Sequence, residues 1–451
     1  MRQNIRRMAF AALAATSLAV LATGCGAGGS ASSDSDTLRV AIWGVNSDID
    51  SIKDAAKGFE KEHPDVKLKF EVGDCGPDYA ACKKLIAGKN MADVLVAGSW
   101  NYFDMVKDGI LTDLTDYLDT AGISTDDFTP AVIDALKDGD GKLYGLPMGF
   151  NTQSLFYNTD MFAAAGLEEP PADGSYTYDD LREWAKLLTL DANGNNAASP
   201  DFDPDSITQW GYYNRIALAS EPGYGPVLAA NGGGVLTGPQ RNECSIDDPN
   251  TIDAFQYLQD LMWKDHSTIT PQLEQEEPGY LRWVKGQVAM QQGSHEQVNI
   301  VAEQNPDLKY NLAALPAGSE GNATLLQIHI WAAYSGSEKQ ELAQELVGYM
   351  STEGSGKQMG LIPAYQDRAL GDDFATAPGE PSNIVDAQIT PASWPLTYVN
   401  VDPSNLWAAV SGQDGFGPGM DDLITNRKTA EEAFGGLCES TIDPLIEASA
   451  Q

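Results

Sequence analysis

The sequence predicts an α/β protein of two lobes, and three observations carry that reading. A chain of 451 residues exceeds what one ordinary core uses, so two bodies of roughly 150–250 residues are expected. Its early part alternates β-branched runs with helix-period runs, the pattern of a mostly parallel sheet with helices on both faces. The hydrophobic fraction of 42% supports a folded core. Beyond the N-terminus there is no run of about 18 apolar residues, so the body is expected to be soluble.

Residues 1–24 read as a signal peptide. Arg2, Arg6 and Arg7 form a basic end, residues 8–22 an apolar stretch, and Thr23 and Gly24 a small-residue exit. The run Leu21-Ala22-Thr23-Gly24-Cys25 resembles a bacterial lipobox, which would make Cys25 a lipid-bearing mature N-terminus. An ordinary secretory signal with an incidental thiol is the alternative. Residues 25–36, rich in glycine and serine, would be a flexible tether.

Residues 38–43 (LRVAIW) form the expected first core strand. Ile49, Ile52, Ala56 and Phe59 recur at helical spacing, and Pro64 ends that helix. Residues 66–72 alternate apolar and polar as a second strand, residues 79–87 form a helix, and residues 93–97 (DVLVA) a third strand. In open sheets of this kind ligands sit beyond the carboxyl ends of the strands. That rule points to residues 43–48 and 98–102, each carrying a tryptophan, Trp43 and Trp100. Packing in the core or at its rim is the competing role for both rings.

Residues 142–166 (KLYGLPMGFNTQSLFYNTDMFAAAG) are the most informative stretch. Pro147 keeps the apolar approach out of a helix, and Gly149 permits close backbone contact. Asn151, Thr152 and Gln153 precede a short strand at 154–158. An Asn158 or Thr159 cap, a helix at 161–165 and a Gly166 stop follow.

This order of residues resembles the first inter-lobe crossover of the family 1 extracellular solute-binding proteins, the maltose-binding-like receptors of ABC importers. The resemblance implies a type II periplasmic-binding-protein-like fold, each lobe a mixed sheet flanked by helices, hinged at a central cleft. Lobe 1 would comprise 37–151 and 329–390, and lobe 2 would comprise 152–328 and 391–451. Other segments resemble family landmarks: residues 104–118, the helix at 178–188 capped by Thr177, and residues 360–365 as a "glycine-x-x-proline" strand. In residues 285–295, His295 stands where the family commonly has a ligand-stacking tryptophan. It could donate a hydrogen bond there, or be structural. Trp210 and Tyr224 lie in the region where family aromatics line the cleft. Residues 325–334 read as a strand returning to lobe 1, with Gln327 and His329 on one face. Residues 394–407 would cross again, and helices at 421–446 would close the chain.

The formal charge is −37, and removing the three arginines of the signal peptide leaves 25 basic against 65 acidic residues. Such a surface repels phosphate backbones and argues against nucleic acid as a partner. Four cysteines beyond Cys25 allow three pairings in an oxidising compartment. The favoured one joins Cys75 to Cys82 across a short loop and Cys244 to Cys438 within the implied second lobe. A C-x₂-C zinc pair is absent. Asp191, Asn193 and Asn195 are spaced as in a calcium loop, but Asn196 and Phe202 replace its glycine and glutamate, so a solvated loop is expected. No phosphate loop, H-E-x-x-H helix or G-x-S-x-G elbow occurs.

The resulting expectation is a membrane-tethered, monomeric receptor without cofactor, metal or catalytic residues. It would capture an oligosaccharide for an ABC permease, using Trp43, Trp100, Asn151, Trp210, Tyr224, His295 and His329. A secreted carbohydrate hydrolase and a receptor for a non-sugar solute are the alternatives.

Overall fold

The computed structural model describes residues 37–449 apart from 74, 77, 239–240, 357, 373 and 400–403. The expected signal peptide, tether and lipid-bearing Cys25 lie outside these residues. In chain order the described strands are β1 (Thr37–Ile42), β2 (Lys67–Val72), β3 (Val94–Gly98), β4 (Leu146–Asn151), β5 (Ser154–Asn158), β6 (Leu190–Asp191) and β7 (Ile207–Tyr213). They continue with β8 (Leu236–Thr237), β9 (Glu243–Cys244), β10 (Val288–Gly293), β11 (Tyr310–Ala314), β12 (Leu325–Ala333) and β13 (Tyr398–Val399).

Helix α1 (Asn46–Glu62) buries Ile49, Ile52, Ala56 and Phe59, the apolar stripe that its spacing dictates. It joins β1 to β2 in parallel register, Thr37 opposite Lys67 and Ile42 opposite Val72. Helix α2 (Tyr79–Ala87) follows, and β3 then pairs β1 in parallel. The first sheet is ordered β13-β12-β3-β1-β2, with β4 also on β12. Because β12 runs antiparallel to both β3 and β4, the sheet is mixed. The second sheet, ordered β11-β5-β10-β7-β6, sets β10 and β7 parallel and β5 antiparallel to its neighbours β10 and β11.

One apolar core lines the first sheet and continues under one face of the second through Phe156, Trp283, Val288 and Leu312. Another covers the opposite face through Leu155, Tyr157, Ala289, Met290 and Ala313. The two-residue alternation of β5 thus feeds both cores. Residues 37–451 group as one compact unit containing both sheets.

Only Thr152 and Gln153 separate β4 in the first sheet from β5 in the second. Thr152 Oγ1 donates to the Gln388 carbonyl at 2.7 Å, and Gln388 Nε2 donates to Ser154 Oγ at 2.9 Å. Thr324, just before β12, accepts from the Gln153 N–H and donates to the Gln153 carbonyl, both at 2.9 Å. Thr152, Gln153, Thr324 and Gln388 are all buried, so three separate stretches of chain are laced together away from water.

The segment 360–365 does not form the expected strand. Ile362 exchanges both backbone hydrogen bonds with Phe150, at 2.9 and 3.0 Å, as an isolated bridge. Met359 and Gly360, with φ +52° and +66°, take the chain out of the extended conformation just before it, so no ladder continues on that side. Gly149 makes room for this contact: a methyl group there would lie 2.7 Å from the Ile362 carbonyl oxygen. Cys75 is bonded to Cys82 and Cys244 to Cys438. No helix among the described residues is long and apolar enough to cross a membrane.

Thr324→Val should cost about 2–4 kcal/mol in urea unfolding, since the Gln153 N–H and carbonyl both lose their buried partner. A loss below about 0.5 kcal/mol would show that this hydroxyl is not a structural tie.

Candidate functional site

The parallel strands β1 and β3 end side by side, and each delivers a tryptophan just past its last residue. Trp43 follows β1, and Trp100 sits in the first turn of helix α3 (Ser99–Lys107), directly after β3. Both are half-buried. Their ring centroids are 6.1 Å apart in an edge-on arrangement, and His329 on β12 joins them at 4.9 Å from Trp43 and 5.7 Å from Trp100. His329 is placed there because β12 pairs with Gly98 on one side and Gly149 on the other.

The Trp43 indole N–H donates to the Val96 carbonyl at 3.0 Å. Beneath it lies Gly76, with φ +123°, where a methyl group would fall 2.6 Å from the indole nitrogen. Only glycine fits that approach. The Asn101 amide donates to the Gly76 carbonyl, and the buried Cys75–Cys82 bond closes the loop that carries Gly76. This disulfide therefore supports the position of Trp43. His329 is buried, its Nδ1 has no hydrogen-bond partner among the described residues, and burial lowers its pKa from 6.5 to about 4. The ring is thus neutral at physiological pH.

The second sheet contributes a cavity of about 560 Å³ at the carboxyl ends of β7 and β10. Its lining includes Tyr213, Arg215, Glu274, Tyr280, Gln291 and Glu296. Asn151, the last residue of β4, ties the crossover to this wall by donating from Nδ2 to Glu296 Oε1 at 3.1 Å. The Glu296 surface is open to the cavity, yet surrounding protein raises its carboxyl pKa, and the nearby Asp48 charge adds to the rise. Arg215, the Asn151 hydrogen bond and His295 pull it the other way. Burial likewise raises the Asp48 carboxyl, against a hydrogen bond from the Val45 N–H.

The remaining expected site residues are placed differently. His295 is fully buried, with Nδ1 2.7 Å from the Gly360 carbonyl and Nε2 2.8 Å from Glu380. Both ring nitrogens are used within the protein, as a structural histidine's would be. Trp210 is buried, with the Arg282 guanidinium 5.0 Å from its ring. Tyr224 packs 5.4 Å from Phe255 and borders a separate cavity of about 240 Å³ with Glu221, Arg241 and Tyr398. The structure therefore gathers Trp43, Trp100 and His329 into one cluster and ties Asn151 to the cavity through its hydrogen bond to the lining residue Glu296. It sets Trp210 and Tyr224 apart from both.

Arg215, Glu274, Gln291 and Glu296 were not singled out from sequence, and Asp48 entered only as the last residue of the 43–48 loop. The available signal was the polar run Gln291-Gln292-Gly293-Ser294 ending an apolar strand, which the strand-end rule covers. Asp191 accepts from the Asn193, Asn195 and Asp203 N–H groups at 2.8–3.1 Å and from Asn195 Nδ2 at 3.0 Å, so it anchors its own turn. Among the described residues no three His, Cys, Asp or Glu side chains converge as a metal site.

Residues 46–357 match the model of the bacterial extracellular solute-binding protein family. A Brucella abortus chain named as a binding protein is 28% identical over 283 residues, covering 60% of each chain, so the match spans less than two-thirds of that relative. A galactooligosaccharide-binding protein of Bacillus subtilis is 24% identical over 393 residues, 84% of this chain and 85% of the relative. In fold the chain is similar to an ABC substrate-binding protein of Listeria monocytogenes solved in complex with cycloalternan. That likeness has a TM-score of 0.73 at 20% identity, covering 92% of this chain and 99% of the other. The shared fold is the two-domain maltose-binding-like one.

Two measurements check the geometry of the aromatic cluster. The His329 ring should titrate near pH 4 by NMR; a midpoint near 6.5 would contradict its burial. Since the unfolded chain takes up that proton first, His329 should remove about 3 kcal/mol of stability as pH falls from 6.5 to about 4, and no more below. Replacing Cys75 and Cys82 together by serine should shift indole emission to the red while far-ultraviolet circular dichroism is retained. Unchanged emission would detach the disulfide from Trp43.

Proposed function

The chain belongs to the bacterial extracellular solute-binding protein family, and from that premise we propose that it is the receptor of an ABC importer. It captures a carbohydrate, in our reading an oligosaccharide, and presents it to the membrane permease. The observation that carries this reading is the Trp43–Trp100–His329 cluster at the strand ends of one sheet, with an amide- and carboxylate-lined cavity at the strand ends of the other. Sugar rings offer apolar faces to indoles and hydroxyl edges to amides and carboxylates, so one ligand can engage both walls. A ligand that contacts both halves binds the closed arrangement better than the open one, and that difference drives closure.

The half-boundaries in this reading lie at the laced crossings, with 37–151 and 329–390 in one lobe and 152–328 and 391–451 in the other. Residues 1–24 direct export, and Cys25 carries the lipid that holds the mature monomer at the outer face of the cell membrane. Residues 25–36 are the tether. The function requires no chemical step: the relatives are named as binding proteins, and the ligand is released intact. Trp210, Tyr224 and His295 then support the walls rather than stack on the ligand.

Calorimetric titration of the mature chain with a panel of oligosaccharides should give saturable binding of an unaltered ligand. Trp43→Ala and Trp100→Ala should each weaken it roughly ten- to hundred-fold, about 1.4–2.7 kcal/mol. Full affinity in both variants would remove the aromatic cluster from the site, and steady release of shorter sugars would replace the receptor by a hydrolase.

A further inference from the structure

The cavity wall is short of positive charge. Glu274 is 6% exposed, and its two oxygens accept from the Tyr213 hydroxyl at 3.1 Å and the Gly279 N–H at 2.9 Å, both neutral donors. Glu296 takes a hydrogen bond from a neutral amide, Asn151 Nδ2. A third carboxylate stands close by on the opposite sheet's side. The first turn of α1, with Asp48, and the helix start at Glu296 meet over one turn of chain: the Met359 N–H donates to Ser51 Oγ at 2.9 Å, and His295 Nδ1 lies 2.7 Å from the Gly360 carbonyl. Among the described residues lining the cavity the one cation is Arg215, exposed at its mouth.

The neutral groups of the wall lean the same way. Gln291 is 1% exposed and lines the cavity, and its Oε1 has no hydrogen-bond partner; Asn151, which is not itself in the lining but donates to Glu296, is 2% exposed and its Oδ1 has none either. Buried acceptors without partners are costly until a donor reaches them. Hydroxyls supply donors, and so does a protonated amine. A carboxylate supplies none, and it would enter a partly shielded site already holding like charge, where repulsion is stronger than in water.

We propose that this wall selects its ligand by charge. It takes a saccharide whose polar groups are hydroxyls or a protonated amine and turns away one bearing a carboxylate, with Glu296 as the deciding residue and Asp48 as its reinforcement. This rests on the carbohydrate-receptor reading above. The large negative charge of the whole chain acts at long range and is screened by salt, whereas the discrimination from this wall is local and persists at physiological ionic strength.

The test is one array carrying neutral glycans, their counterparts with free amino groups and their counterparts with uronic or sialic acids, probed at 0.15 M salt with the mature chain, Glu296→Gln and Asp48→Asn. The native chain should prefer each neutral or aminated glycan that it binds over the carboxylated counterpart at least hundred-fold. Glu296→Gln should narrow that preference at least ten-fold, and Asp48→Asn should narrow it less, serving also if the first variant fails to fold. Native binding of carboxylated glycans at parity with their neutral counterparts would overturn the proposal, as would an unmoved preference in a folded variant. Binding to no glycan of any charge would instead overturn the carbohydrate reading itself, and this proposal with it.

Discussion

The structure depends on a small buried knot of side-chain hydroxyls and amides. Thr152, Thr324 and Gln388 join chain segments up to 236 residues apart exactly where the backbone leaves one sheet for the other. Without that lacing, β4 and β5 would be joined only by two residues of chain, and the two sheets could drift in register. A polar tie suits this position better than an apolar plug. Hydrogen bonds fix direction, and a buried donor without its acceptor is costly, so the crossings hold one arrangement where the apolar core that runs on from the first sheet to one face of the second supplies no direction of its own.

Everything at the site follows from where that knot holds the sheets. β12 begins beside Thr324 and carries His329 to the two tryptophans, and β4 ends at Asn151, whose amide reaches Glu296 on the other wall. The crossover between the two sheets is therefore hydrogen-bonded to the cavity wall. The His295 ring adds a second tie, from the start of its helix to Gly360 and Glu380. Its place in the sequence resembles a stacking position, yet its contacts are those of a strut.

Much of the fold was legible in the sequence because it is written in local periodicity. The Ile49, Ile52, Ala56 and Phe59 stripe is buried, Asn158 caps its helix through Met161, and Gly166 stops it with φ +68°. The strand-end rule placed Trp43 and Trp100 together correctly in space, since both follow parallel strands of one sheet. What could not be read was long-range pairing of common residues. In a chain with 65 acids nothing local marks Glu296, and Asp48 is marked only as the end of the 43–48 loop; their joint meaning comes from a turn at 359–360 that both helices approach. Trp210 and Tyr224 failed to join the cluster for the ordinary reason that aromatic rings are well spent inside a core. The expected strand at 360–365 is cut to a single bridge at Ile362, behind the positive-φ residues Met359 and Gly360.

The central claim is that two halves, pivoting on the laced crossings, close upon a solute. Spin labels on Val72→Cys and Gln272→Cys, exposed positions of the first and second halves, report it by pulsed electron resonance. A saturating saccharide should convert the distance distribution to a shorter and narrower one, whereas an identical distribution with and without bound ligand would contradict the account.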